Sequence, residues 1–259
     1  MRTDSTPPSV IPPEPFHWCG EHLAIELPGA RALFTTRRGG VSEGPFASLN
    51  LGRLTDDQPA AVAANRERLQ ARLPARMAMI RQVHGTRLRR VETVAAASGP
   101  HPRGPLPEAD GQLTTVPGVA PLVLTADCLP IALAGGGAAA ILHAGWRGLA
   151  DGIIARGVAA LRELAGERMP LVAAIGPGAG GCCYEVGEEV LARFSHHPEA
   201  RRGSHLDLKA VAREQLAAAG VAVVHDVGLC TICSPSRLFF SHRRERGITG
   251  RQAGIVWLS

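Results

Sequence analysis

The sequence predicts a mixed α and β architecture with helices packed outside the sheets, and three observations carry that expectation. From residue 121 onward, strand-like runs alternate with helical patterns. Before that point an amphipathic helix precedes two further strand-like runs. With 259 residues, an apolar fraction of 45% and a mean hydropathy of +0.05, the chain can bury one large core.

The elements follow in order. The first 16 residues, MRTDSTPPSVIPPEPF, hold five prolines and read as an extended arm. Residues 17–259 read as a single domain, because no linker divides them and no repeat of 20 to 50 residues is visible. PAAVAANRERLQARL opens at Pro59 after Asp56 and Asp57 and sets Val62, Leu69 and Leu73 on one side, which predicts a helix. Strand-like runs at 77–83 and 88–94 lead to SGPHPRGPLPEADG, a loop too polar and broken for a core, expected to cover or border something. LVLTAD, PIALA and AAAILHA read as strands, and a helix from about 149 to 165 turns Leu149, Ile153, Leu161 and Leu164 inward. LVAAIG then reads as a strand and VGEEVLARF as a short helix. Asp207 caps a further helix burying Leu208, Val211 and Leu216. RLFFSHR and AGIVWL, on either side of the polar RERGITGRQ, predict a closing hairpin.

Composition excludes several functions. No charged start leads into an apolar stretch, and nowhere do about 18 uncharged apolar residues run together, so a cytoplasmic protein without membrane contact is expected. The net charge of +5 is scattered, and aromatics make up 4%, which disfavours nucleic-acid binding. Six cysteines in a chain of this length without an export signal are expected to be reduced thiols. The G-x-S-x-G elbow, the P-loop lysine and the Rossmann glycine spacing are all missing.

Three apolar runs each end in a residue able to bind a soft divalent metal: MAMIRQVHG at His84, LVLTADC at Cys128 and AAAILHAGWRG at His143. Two imidazoles and a thiolate suit zinc, and three protein ligands leave a position open for water or substrate. The same residues also read as two hydrogen-bonded histidines and one buried thiol. Arg37 and Arg38, ahead of a glycine pair, and Arg243 and Arg244 in SHRRERG can present guanidinium forks to an anion. Cys230-Thr231-Ile232-Cys233 reads equally as a functional C-x-x-C and as two packed small residues in a turn. Cys182 and Cys183 are adjacent, a placement that does not favour a shared metal.

Taken together, FTTRRGGVSEGPFASLNLG, QVHG, ADGQLTT, TADCLPIAL, HAGWRGL, IGPGAGGCCYEVGEEV, LDL, CTIC and FFSHRRERGITGRQAGIVWL resemble the bacterial YfiH family, which includes the laccase-domain proteins of animals. The resemblance runs in order from about residue 31 to 258. It implies an α+β fold, a mixed β-sandwich core flanked by helices in four α-β-β-α layers. It further implies a Zn²⁺ site at His84, Cys128 and His143, with purine nucleosides and phosphate as partners. The implied activity is phosphorolysis of adenosine, inosine, guanosine and S-methyl-5'-thioadenosine, with accompanying adenosine deamination.

The family has also been named a multicopper polyphenol oxidase. Such an enzyme needs about ten histidines arranged in His-x-His pairs. The chain has ten histidines and no His-x-His, and His17, His22 and His101 fall in regions expected to lie outside the core, so copper is disfavoured. A zinc-stabilised interaction module without catalysis is the third reading. Arg37, Arg38, Asn50 and Arg243 are expected to bind phosphate or substrate, and Asp127 and Glu185 to orient ligands or donate protons. SHRR stands where SYRR is frequent and GPGAGG where GPAIGP is usual, departures that bear on substrate preference. The sequence sets no oligomeric state.

Overall fold

In a computed structural model that describes residues 10–259, strands and helices arrange into two packed sheets with helices outside them. Residues 1–9 of the expected arm lie outside the described residues. The strands are β1 (His17–Cys19), β2 (His22–Leu27), β3 (Ala30–Phe34), β4 (Arg76–Ala78), β5 (Leu88–Arg90), β6 (Gly111–Thr114) and β7 (Val119–Thr125). They continue as β8 (Leu129–Gly135), β9 (Ala138–Ala144), β10 (Val172–Ile175), β11 (Arg201–Arg202), β12 (His205–Leu206), β13 (Val223–Asp226) and β14 (Gln252–Leu258). Among the described residues five α-helices accompany them: α1 (Pro59–Gln70), α2 (Trp146–Ala150), α3 (Ile153–Ala165), α4 (Glu188–Ala192) and α5 (Leu208–Ala218).

One sheet has the order β1-β2-β3-β14-β7-β4 and the other β13-β10-β8-β9-β6-β5, while β11 and β12 form a small ribbon. Alternation along each strand assigns its faces. In β9, Ala138, Ala140, Leu142 and Ala144 join the cluster formed with α3 and α5, whereas Ala139 and Ile141 join the cluster between the sheets. The intersheet cluster draws Leu23, Ile25, Phe34, Val123 and Val256 from one sheet and Ala132, Ala134, Ile141 and Ala174 from the other. The outer face of the first sheet packs on Leu69 of α1 and on Leu49, Leu51 and Leu73. The fold is therefore α+β in four layers. The sheets approach closely where Gly254 faces Pro130, since a β-carbon at Gly254 would stand 2.4 Å from that proline's Cβ.

Several expected elements change shape. The helix expected over 149–165 is two helices, divided at Asp151-Gly152, where Gly152 takes φ +86°. β4 ends at Ala78 and β5 at Arg90, so the strand-like runs 77–83 and 88–94 are mostly irregular. RLFFSHR is no strand and makes no hairpin; β14 lies between β3 and β7 instead. The reason is local: the Gln252 side-chain amide accepts from Phe240 N–H (2.7 Å) and donates to Phe240 C=O (3.1 Å), taking the place of a strand partner. His22, expected outside the core, is buried within β2. Asp207 caps α5, accepting from the amides of Lys209 and Ala210. All six cysteines are free. Among the described residues no helix is long and apolar enough to cross a membrane.

Candidate active site

The chain crosses between the two sheets in the segment from β4 to β5 and again from β7 to β8. His84 lies in the first crossing and Cys128 in the second. His143, penultimate in β9, shares the intersheet face of Ala139 and Ile141. Neither His84 nor Cys128 ends a regular strand; two bends and one strand bring the three together. Their ligand atoms lie within 4.8 Å of one another, and the imidazole rings meet edge to face with centroids 4.9 Å apart.

Asp110, fully buried, organises this group. Its carboxylate accepts from the amides of Val83 (3.2 Å), His84 (2.9 Å) and Gly85 (2.7 Å), a nest of successive N–H groups that holds His84 at φ +59°. The same carboxylate stands 2.9 Å from His143 Nδ1. This fixes a proton on Nδ1 and leaves Nε2 as the nitrogen that faces Cys128. Burial pushes the Asp110 carboxyl up, but the His143 hydrogen bond and the Gly85 and Val83 amides hold it below the usual range. Burial likewise opposes ionisation of Cys128 and His143. Their mutual attraction, with a hydrogen bond from His84 to the sulfur and one from the His143 ring to Asp110, brings the thiol down to about 6 and the imidazole up to about 9. Gly145 of HAGW completes the enclosure, because a β-carbon there would stand 3.0 Å from Cys128 Sγ and 3.3 Å from His84 Cδ2.

Two glutamine side chains fasten the segment to the sheets. Gln82 pairs with the backbone of Leu124 through both its amide atoms (2.7 and 2.8 Å), and buried Gln112 donates to the carbonyls of Ala78 and Leu122, tying the second sheet to the first.

The three candidate ligands open into a cavity of about 720 Å³. Met79, Ile80, Leu106, Leu124 and Trp146 give it an apolar wall, with Leu106 supplied by the loop expected to border something. Arg53, Arg66, Arg81, Arg147, Arg243 and Arg251 line it against a single acid, Asp127. A pocket of this size and sign suits a small anionic or aromatic ligand.

Of the residues expected to bind phosphate, Arg243 alone lines the cavity. It donates to the Glu185 carbonyl (2.6 Å) and lies over the Tyr184 ring at 5.2 Å. Arg37 is committed elsewhere: it donates to the carbonyls of Ala47, Ser236 and Pro45, pairs with Glu245 at 2.7 Å and stacks on Phe240. Arg38 pairs with Glu21 at 3.5 Å. Asn50 is fully buried, donating to Thr55 and Asp57 and accepting from the amides of Gly52 and Arg251, so it shapes the loop that carries Arg251 without lining the cavity itself. Both Asp127 oxygens are engaged, one by Thr231 Oγ1 (2.6 Å) and one by the Arg243 amide (2.7 Å). Glu185 turns its carboxylate to Ser204, and Tyr184 lines the cavity in its place. Burial and the Cys128 charge push the Tyr184 phenol up to about 12, which keeps its proton in place.

Sequence reasoning left Asp110, Tyr184, Arg147 and Arg251 unassigned. ADGQLTT, CCYEVG, HAGWRGL and TGRQAGIVWL each contained one of them, adjacent to features already singled out. The adjacent Cys182 and Cys183 also depart from expectation. Their sulfurs gather with those of Cys230 and Cys233, all four within 4.8 Å of one another, in a group separate from the cavity ligands.

A family model described as "Multi-copper polyphenol oxidoreductase laccase" matches residues 31–259. A purine nucleoside phosphorylase of Xylella fastidiosa is 42% identical over 250 residues, covering 89% of this chain and 93% of that protein. One of Streptomyces coelicolor is 41% identical, covering 89% and 96%. The crystal structures of YlmD from Geobacillus stearothermophilus and of YfiH from Bacillus licheniformis both superpose with a TM-score of 0.85. They are 36% and 34% identical to this chain, cover 95% of it, and are themselves covered over 99% and 100% of their length.

Proposed function

We propose, from the premise that this chain belongs to the multi-copper polyphenol oxidoreductase laccase family, that it is a zinc-dependent purine nucleoside phosphorylase with accompanying adenosine deaminase activity. Its substrates are adenosine, inosine, guanosine and S-methyl-5'-thioadenosine. The observation that carries this reading is the convergence of His84, Cys128 and His143 on an arginine-lined cavity. Relatives named purine nucleoside phosphorylase support it.

The donor set fits a zinc ion. His143 has one ring nitrogen committed to Asp110 and the other turned to Cys128, Cys128 is disposed to be a thiolate, and two imidazoles with one sulfur leave a position open. A zinc ion there supplies Lewis acidity, enough to polarise a purine or activate a water, which serves both reactions. The rest is done by side chains. Arg147, Arg243 and Arg251 offer guanidinium groups to phosphate, whose oxygen attacks the anomeric carbon while the glycosidic bond breaks and its electron pair passes to the purine. Trp146, Ile80 and Leu106 provide apolar surface for the base, and the protonated Tyr184 hydroxyl is a hydrogen-bond donor at the edge.

The family description names copper, and two histidines with a cysteine are also the donors of an electron-relay copper site. Oxygen reduction by a multicopper oxidase needs a further histidine-rich centre. Among the described residues, the potential metal-binding groups are this one and the four cysteines.

Metal-replete protein incubated with adenosine is expected to release adenine only when phosphate is present, and inosine with or without it. His84→Ala is expected to lose both the metal at this site and turnover. Phenol-dependent oxygen uptake with copper bound, or absence of any phosphate-dependent product, overturns the proposal.

A further inference from the structure

Cys182, Cys183, Cys230 and Cys233 form a cluster that the proposed reaction does not use. A tight turn, in which the Cys183 and Tyr184 amides both donate to the Gly180 carbonyl (3.0 Å each), directs the adjacent Cys182 and Cys183 to one side. The C-x-x-C of 230–233 approaches from the segment after β13, anchored by a bridge between Gly178 and Cys230 and by the Thr231 amide on the Gly178 carbonyl (3.0 Å). From this arrangement we propose a second metal site, a closed tetrathiolate centre holding one structural zinc ion between the two loops.

Geometry supports a single ion. Four sulfurs each about 2.3 Å from zinc at the corners of a tetrahedron are about 3.8 Å apart. Cys182 and Cys233 Sγ are 3.6 Å apart, and no pair among the four exceeds 4.8 Å. Thiolates around a multi-iron cluster stand farther apart, because the irons themselves separate them.

The surroundings suit a group of net charge −2. Cys230 Sγ accepts from the Gly180 amide at 3.3 Å, the kind of backbone contact that a metal-bound sulfur receives. The buried Lys209 ammonium donates to the carbonyl of Leu229, next to Cys230, and Arg244 donates to the carbonyls of Thr231 and Ile232 inside the C-x-x-C. Four protein ligands leave no open position, so the ion is structural.

Its consequence reaches the cavity. Tyr184 follows Cys183 directly, and Thr231, between the two C-x-x-C sulfurs, donates to Asp127 beside Cys128. The ion fixes the loop pair that positions the tyrosine and the Asp127–Arg243 contact.

The test uses full-length protein purified under reducing conditions with His84 and Cys128 both replaced by alanine, so that the cavity site cannot contribute. This protein is expected to retain one zinc per chain, and cobalt exchanged into it is expected to give the intense sulfur-to-cobalt absorption of a tetrathiolate site. Adding Cys233→Ser is expected to abolish both. Thiol counting gives a reading that does not depend on the serine variant folding: with zinc bound, the four thiols react slowly, and a strong chelator exposes them. Protein with no zinc, iron in place of zinc, or disulfides among the four cysteines detected by mass overturns the proposal.

Discussion

Asp110 is the residue on which both candidate histidine ligands depend, through the His84 amide and through His143 Nδ1. Asp110→Asn keeps the shape but offers one acceptor oxygen where the carboxylate offers two, and it removes the charge that secures the His143 proton. Zinc affinity at the cavity is expected to fall about 10- to 100-fold, as for other partners of metal-bound histidines, measured by chelator competition. Unchanged affinity would remove Asp110 from this role. The three candidate ligands that the structure brings together were legible because QVHG, TADC and HAGW are compact strings. Asp110 was not, because nothing in ADGQLTT reports that its carboxylate will capture amides 25 to 27 residues away. Arg37 misled for the complementary reason: a sequence shows a guanidinium but not the three carbonyls and the glutamate that occupy it.

His22 makes a separate prediction. Burial and the neighbouring Arg72 lower its pKa from 6.5 to about 4, and its neutral ring accepts from the Thr36 amide at 3.3 Å. Between pH 6.5 and 4 the unfolded chain binds the proton and the folded one does not, so stability falls as pH drops through that window. The full loss is about 3 kcal/mol. Denaturant unfolding at pH 7 and pH 5 is expected to show a steeper loss for the parent protein than for His22→Gln. Equal slopes would exclude His22 as the source.

At the scale of elements, side-chain amides substitute for backbone ladders at the points where expected strands fail. Gln252 satisfies Phe240, and Gln82 satisfies Leu124, so RLFFSHR joins no sheet and MAMIRQVHG leaves its strand after Ala78, keeping only a single bridge from Arg81 to Glu108. Hydrophobic periodicity sees the buried phenylalanines and the apolar run but not which partner closes their hydrogen bonds, and it therefore reads a strand. Where the backbone bonds are internal to the element, as in α1 and α5, periodicity with Pro59 or the Asp207 cap was enough, whereas the break at Gly152 before α3 left no mark in the periodicity. Gln82→Ala leaves the Leu124 amide and carbonyl unpaired in a partly buried place, at about 1–3 kcal/mol. Faster hydrogen exchange at Leu124 is expected together with weaker zinc binding, since the same side chain leads into His84. Protection equal to the parent's would show that the amide has another partner.

At the scale of the molecule, the sandwich makes the cavity ligands a property of the whole fold. His84 and Cys128 come from two of the segments where the chain passes between sheets, and His143 from the face between them, so each sheet must be in register for the three to meet. An ion held by all three binds only the folded chain. Its contribution is RT ln(1 + [L]/Kd), about 4 kcal/mol when free zinc is a thousand times its dissociation constant. A domain of this size gains roughly 2–4 °C in Tm per kcal/mol, so saturating zinc is expected to raise Tm by about 10 °C over chelator-treated protein. The tetrathiolate cluster would add a zinc response of its own. The decisive quantity is therefore the difference between the parent and His84→Ala, each measured with zinc and with chelator. A zinc-dependent shift as large in His84→Ala as in the parent would mean that His84 gives no hold on an ion spanning the two sheets.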